Sequence, residues 1–256
     1  MNRVEKSFEI ERARDLFARK GEKDNLRKTY NKSNPSIPNL NTARLWDDLN
    51  SIKITRSSHP MAWNRFEIVT KLLKDHSKIL DVGFGTADLE EIISNSYHHV
   101  DLFGIDISSK SVDRANDRFS KFHFSKGSIF HIPYRNNSFD FVVVLEVMEH
   151  IIPSKTFDAF KELWRVTKKN KYLVLSVPVN EGLEEMLKRN YNPNAHVRAY
   201  SLDLIKAEIE IAGFKVHKMI KLYAFHNHYK IKSLIINYFL KFVKKPNNII
   251  VLCEKI

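Results

Sequence analysis

Two glycines one residue apart, Gly83 and Gly85, follow the largely apolar run Lys78-Ile-Leu-Asp-Val82, and an acid, Asp106, ends Phe103-Gly-Ile-Asp106 at 23 residues beyond Gly83. Lacking a Cβ, glycine lets the backbone turn tightly and lie against a ligand, and a carboxylate at that separation falls where the next parallel strand ends. The chemistry predicted is recognition of a nucleoside, with Asp106 accepting from ribose hydroxyls. A second grouping, Glu146-Val-Met-Glu-His150, puts two carboxylates and an imidazole within five residues, and His196 stands in Asn194-Ala-His-Val-Arg-Ala-Tyr-Ser201. Such groups suit proton transfer, His150 being titratable near neutrality, or a divalent cation. Both readings stay open. His59, His98, His99, His123, His131, His217, His226 and His228 lack such neighbours and are expected at the surface or in packing.

Positioning these residues calls for a doubly wound α/β sheet. Strands are predicted at Lys78 to Val82, Val100 to Asp106, Lys121 to Lys126, Phe139 to Leu145, Tyr172 to Val177, Phe214 to Leu222 and Ile249 to Glu254. Helices are predicted at Ala87 to Asn95, Ser109 to Phe119 with Ser108 as its cap, Lys155 to Val166, and Leu202 to Ala212 ended by Gly213. The Phe139 to Leu145 run is apolar enough for a central strand buried on both faces. Seven strands, mostly parallel, follow.

Residues 1–60 read as an N-terminal helical extension, with helices at Glu5 to Lys20 and Thr42 to Leu49 separated by Asn34-Pro-Ser-Ile-Pro38, and residues 61–256 as the domain. Residues 223–246 interrupt the last two strands. There Ile231, Leu234, Ile235, Tyr238, Phe239 and Phe242 recur at helical spacing, which predicts a helix whose apolar face packs on the domain or lids the site; Lys230, Lys232, Lys241, Lys244 and Lys245 flank it, leaving an acidic membrane surface as the other partner. The chain of 256 residues carries a formal charge of +12, unevenly spread. Residues 61–150 hold 10 lysines and arginines against 13 acids, and residues 151–256 hold 19 against 9. An anionic partner is thereby favoured, without the arginine–aromatic cluster of a nucleic-acid module. No apolar stretch is long enough for a membrane span and no signal-peptide core follows the charged N-terminus, so a cytoplasmic location is expected. A single cysteine, Cys253, excludes an internal disulfide and reads as a buried thiol. Nothing implies an obligate protein partner.

The segment Asp81-Val-Gly-Phe-Gly-Thr-Ala87 departs from the dinucleotide pattern G-x-G-x-x-G, because Asp88 stands three residues after Gly85. It resembles the first motif of class I S-adenosylmethionine-dependent methyltransferases, (D/E)-x-G-x-G-x-G, with Ala87 at the third glycine. Gly127-Ser-Ile-Phe-His-Ile-Pro133, Asn137 to Ile151, Leu163-Trp-Arg-Val166 and Tyr172 to Pro178 follow in the family's order, so the resemblance covers about residues 60 to 222 and the last strand. It implies a Rossmann-like fold, S-adenosylmethionine as cofactor, and methyl transfer to an oxygen or nitrogen of a small-molecule acceptor. By the same resemblance Asp81, Gly83, Gly85 and Ala87 surround the methionine part and Asp106 binds the ribose. Ile107 packs on adenine, Ser128 with Ile129 meets the adenine amine where relatives often carry an acid, and Leu145 and Glu146 end strand four beside the donor. Glu149 and His150 are the candidate catalytic residues. The E-x-x-E-H run also resembles the divalent-metal site of some quinone O-methyltransferases and small-RNA 2′-O-methyltransferases, with His196 as the extra ligand. An RNA 2′-O-methyltransferase and a non-catalytic cofactor-binding protein are the alternative functions.

Overall fold

A strand as apolar as β4 (Phe139–Leu145) has to be covered on both faces, and here helices cover both. The computed structural model describes residues 26, 30, 40–50, 57–225, 228–238 and 244–256. The expected helix at Glu5 to Lys20, the break at Asn34 to Pro38, and Phe239, Lys241 and Phe242 lie outside them. Helices α1 (Ala43–Leu49) and α2 (Pro60–Leu72) precede β1 (Lys78–Val82), α3 (Asp88–Ser96), β2 (Asp101–Asp106), α4 (Ser109–Arg118) and β3 (His123–Lys126). After β4 come two short 3-10 turns, α5 (Thr156–Val166), β5 (Thr167–Pro178), α6 (Leu183–Lys188), α7 (Leu202–Ile211), β6 (Phe214–Leu222), α8 (Tyr229–Tyr238) and β7 (Asn248–Lys255).

The seven strands lie in the order β3-β2-β1-β4-β5-β7-β6, and β7 runs antiparallel to both its neighbours. Side chains alternate across the sheet: Leu80, Val142, Val144 and Leu175 meet Phe160 and Leu163 of α5 and Ile205 and Ile209 of α7. Ile79, Phe141, Val143 and Val174 meet Val69 of α2, Ile93 of α3 and Val112 of α4 on the other face. Cys253 lies fully buried in the first of these layers, where burial pushes its thiol up and leaves it a packing residue.

Strand order reverses between β1 and β4, both parallel, and the crevice outside their carboxyl ends is where an open α/β sheet takes a ligand. Ser108 caps α4 as expected, accepting from Ser111 N at 3.1 Å. Strand β5 begins five residues earlier than the expected Tyr172: Phe139 pairs with Thr167 and Phe141 with Tyr172, so Lys168 to Lys171 bulge out between two paired segments. Two of those bulged lysines, Lys168 and Lys171, sit on Asp140 at 3.0 and 3.3 Å. Periodicity does not foresee α2 or α6.

The inserted helix exists, but its predicted apolar face points outward. Ile231, Leu234 and Ile235 are 63%, 55% and 40% exposed, whereas Tyr229 and Ile236 turn inward, and Tyr229 Oη accepts from Asn64 Nδ2 of α2 at 3.2 Å. The expectation that the Ile231/Leu234/Ile235 stripe packs on the domain is therefore corrected. A helical period identifies a stripe without saying which side the fold presents to its core, and the hydroxyl contact to α2 fixes the other side.

Candidate active site

The glycine turn after β1 is built from left-handed backbone. Gly83 has φ 81° and Gly85 φ 59°, and a Cβ on Gly83 would lie 2.6 Å from Val147 Cγ2, so the turn and the segment after β4 touch with no room for a side chain. Ala87 carries the same left-handed geometry, φ 57° and ψ 36°, as the N-cap of α3. It is buried beneath the turn and does not line the cleft. Asp106 holds the turn from below: Gly85 N donates to its Oδ2 at 2.9 Å and Ser108 N to its Oδ1 at 2.8 Å. Burial raises the Asp106 carboxyl, and these backbone donors oppose the rise by favouring its charged form.

Above the turn lies a cleft of about 880 Å³, whose lining includes Asp81, Gly83, Gly85, Asp106, Ile107, Ser128, Ile129 and Leu145. The Ser128 hydroxyl accepts from Phe130 N at 3.3 Å, which turns it toward its own loop with a lone pair to spare for an amine. Helix α1 closes the cleft from outside. Thr42 caps it, accepting from Leu45 N at 3.3 Å, and Asp47 accepts from Ser108 Oγ at 2.6 Å and Lys110 N at 3.2 Å. Asn50 Nδ2 donates to Ser111 Oγ at 3.0 Å. These hydrogen bonds hold the Asp47 carboxyl below its ordinary range, so it stays charged near neutrality. At its other end the same segment reaches across: Asn41 Nδ2 donates to the carbonyls of His150 and Ala195 at 3.3 and 3.0 Å, and the Trp46 ring meets the His150 ring edge-on at 4.7 Å.

Just past β4, Glu146 adopts a positive φ of 55° and is gripped from three elements: Arg65 of α2 at 3.1 Å, Ser176 Oγ of β5 at 2.7 Å, and Asn248 Nδ2 of β7 at 2.9 Å to either oxygen. Glu149, fully buried, has no hydrogen-bond partner on either carboxylate oxygen. Burial, and then the Glu146 charge, push its carboxyl well above the ordinary range. The Nε2 atoms of His150 and His196 each lie 4.0 Å from Glu149 Oε1. Their Nδ1 atoms face away, to Ala195 O at 3.4 Å and to Glu181 Oε2 at 2.6 Å. Burial first, and His196 second, drop His150 to about 3, so it stands neutral with an Nε2 lone pair turned toward Glu149.

Of the residues singled out in the sequence, all but Ala87 line one cleft, and His196 joins Glu149 and His150 from 46 residues away. Arg65, Asn248, Glu181, Trp46 and Asn41 carry no motif, and Ser176 lies within the Tyr172 to Pro178 run with nothing in it to mark a site residue. They reach the site through sheet order and loop closure, which local spacing does not encode; Pro60, placing a helix start just before Arg65, is the one local signal among them.

Residues 80–175 match the family described as a methyltransferase domain. Among curated proteins, the chain is 31% identical over 154 residues to 27-O-demethylrifamycin SV methyltransferase of Amycolatopsis mediterranei, covering 56% of each chain. It is 26% identical over 113 residues to demethylmenaquinone methyltransferase of Thermotoga maritima, covering 44% of this chain and 48% of that one. The matched stretches thus span about half the length of these relatives. In fold, a crystal structure of an S-adenosylmethionine-dependent methyltransferase from Aquifex aeolicus superposes with a TM-score of 0.55 at 20% identity, covering 75% of this chain and 89% of that one. The matched residues 80–175 contain the glycine turn, Asp106 and the Glu146 to His150 segment, so the likeness to a methyltransferase domain falls on the cleft itself.

Proposed function

We propose that this chain transfers the methyl group of S-adenosylmethionine to an oxygen or nitrogen of a small-molecule acceptor. The observation that carries the reading is the locked assembly of Gly83, Gly85 and Asp106 at the strand-order reversal, facing a second set of polar groups across one cleft. In this reading Asp81, Gly83 and Gly85 surround the methionine part and Ala87 supports the turn from beneath. Asp106 takes the ribose hydroxyls, Ile107 packs on adenine, and Ser128 and the Ile129 backbone meet the adenine amine. Leu145 and Glu146 border the sulfonium. The donor's methyl group is already activated, so the protein's task is to hold donor and acceptor in line and keep water out. Residues 1–60 act as a cap on the domain 61–256, into which 223–246 is a helical insertion, and α1 is the part of the cap that shuts the cleft. The excess of basic residues after 151 favours an anionic acceptor, and a cytoplasmic location accompanies this reading.

His150, neutral with its Nε2 lone pair available, receives the proton that an acceptor hydroxyl or amine gives up, and Glu149 faces that nitrogen at 4.0 Å. A second reading of these same residues has a specific observation in its favour: Glu149, His150 and His196 offer ligand atoms within 4.8 Å of one another, and both Glu149 oxygens are orphaned. Each imidazole has its Nδ1 turned to an oxygen, as ligating histidines do, so a divalent cation fits this donor set as well as a proton does. Incubation with S-adenosylmethionine and a panel of phenol, carboxylate and amine acceptors should yield S-adenosylhomocysteine with at least one of them. His150→Ala should lower that rate and leave donor binding intact; an unchanged rate removes His150 from the chemistry. If a cation resides here, Zn²⁺ or Mn²⁺ should raise the melting temperature of the wild type and not of Glu149→Ala, and turnover unaffected by a chelator would rule out a metal requirement.

A further inference from the structure

Behind the donor side of the cleft lie two buried acids that nothing in the site's architecture needs for packing. Asp81, at the end of β1, lines the cleft, is 3% exposed, and has its Oδ1 buried without a hydrogen-bond partner. Glu90, in the first turn of the nine-residue helix α3, is fully buried, and neither of its oxygens meets a donor group. Its polar neighbour is the Asp81 carboxylate itself. Two carboxylates facing each other are both acceptors, so a proton held between them is what satisfies them, and two charges cannot be held there in the dry interior without a compensating cation.

The other charged groups bearing most strongly on the pair are acids too. Asp106 acts on Asp81 from β2 and Asp88 acts on Glu90 from α3, while Asp47 of α1 adds to the field at Asp106. The pair therefore sits in negative potential behind a cleft that, on the reading above, admits a donor bearing a sulfonium and an ammonium group. We propose that Glu90 is a positioning residue that shares a proton with Asp81, and that arrival of the cationic donor expels this proton to solvent, leaving both carboxylates charged with the ligand as their compensating cation. The balance is simple: one carboxyl O–H bond breaks, the proton passes to water or buffer, and the donor's positive charge takes its place. Burial, and after it the Asp106 charge, push Asp81 up to about 7 against the hydrogen bond from Glu90, which sets the exchange in the neutral range. Burial first, and the Asp81 charge second, also push the Glu90 carboxyl well above its ordinary range.

The inference rests on the cleft's taking S-adenosylmethionine, and its test separates the two. Calorimetric titration of the whole chain with S-adenosylmethionine at pH 7, in buffers of different ionisation enthalpy, counts the protons released. The wild type should release roughly 0.3 to 1 proton per donor bound, and its affinity should rise with pH between 6 and 8, by up to about tenfold per unit where a full proton leaves. Glu90→Gln replaces the shared proton with an amide N–H that Asp81 can accept permanently. That variant should bind the donor with most of the release gone, a flatter pH profile, and tighter binding than wild type at pH 6. Donor binding by the wild type with no buffer dependence overturns the inference and leaves the donor assignment standing. Release undiminished in Glu90→Gln also overturns it, since Asp106 or the donor's own amine would then be the source. Should Glu90→Gln fail to fold, the wild-type buffer series and pH profile still decide. No heat from the wild type at any pH takes down both.

Discussion

Asp106 is tied by two backbone N–H groups, and each tie has a consequence for the ligand. Gly85 N and Ser108 N fix both carboxylate oxygens in place, so on the proposed reading little conformational freedom would be lost on accepting ribose hydroxyls there. Asp106→Ala should weaken S-adenosylmethionine binding by roughly 1.5 to 3 kcal/mol, the range for losing a charged hydrogen bond, measured by calorimetry. A loss well below that range would mean that Asp106 serves the glycine turn and not the ribose. These residues are legible in the sequence because turn and acid are set by local spacing. Ala87 is half legible: its small size fits the motif, but its left-handed backbone and its place beneath the cleft appear only in three dimensions. Glu146 is legible by position. The grip of Arg65, Ser176 and Asn248 on it is not, since three separate elements supply those partners.

At the level of elements, α1 and α8 show what periodicity can and cannot give. The end of α1 at Leu49 and its start one residue after the Thr42 cap agree with the expected Thr42 to Leu49, because capping and helix propensity are local. Its docking on Ser108 and Ser111 depends on where α4 starts in space. For α8 the existence of a helix follows from the i, i+3, i+4 pattern, while its orientation does not. Leu234 is 55% exposed and Ile236 is 8% exposed, so the two should respond differently to the same change. Leu234→Glu should leave the unfolding free energy within the scatter of a surface substitution, about ±0.5 kcal/mol, whereas Ile236→Glu buries a charge and should lower it sharply. Equal losses in thermal unfolding would show that the predicted stripe packs inward after all. The lengthening of β5 past a lysine-rich bulge has a similar origin: Lys168-Lys-Asn-Lys171 reads as a turn, and tertiary pairing to Phe139 extends the strand beyond it.

Across the molecule, two described residues that precede α1 join the core of the sheet domain. Leu26 and Tyr30 are buried in the same layer as Leu80 and Phe160, and the Tyr30 hydroxyl donates to Glu208 Oε1, while Arg198 bridges Thr156, Tyr30 and Glu208. Tyr200 Oη adds a bond to Glu208 Oε2 at 3.0 Å. Removing one partner of such a buried ion pair strands the other, so Glu208→Ala should cost about 3 to 5 kcal/mol in denaturant unfolding, much of the total stability of a typical domain. A cost under about 1 kcal/mol would mean that water reaches Arg198. None of the described helices is long and apolar enough to cross a membrane. The measurement that bears most directly on the whole account is calorimetric titration of the purified chain with S-adenosylmethionine and, separately, with NADH. One saturable site for S-adenosylmethionine and no heat with NADH is the expected result; binding of NADH, or no binding of S-adenosylmethionine, would contradict it.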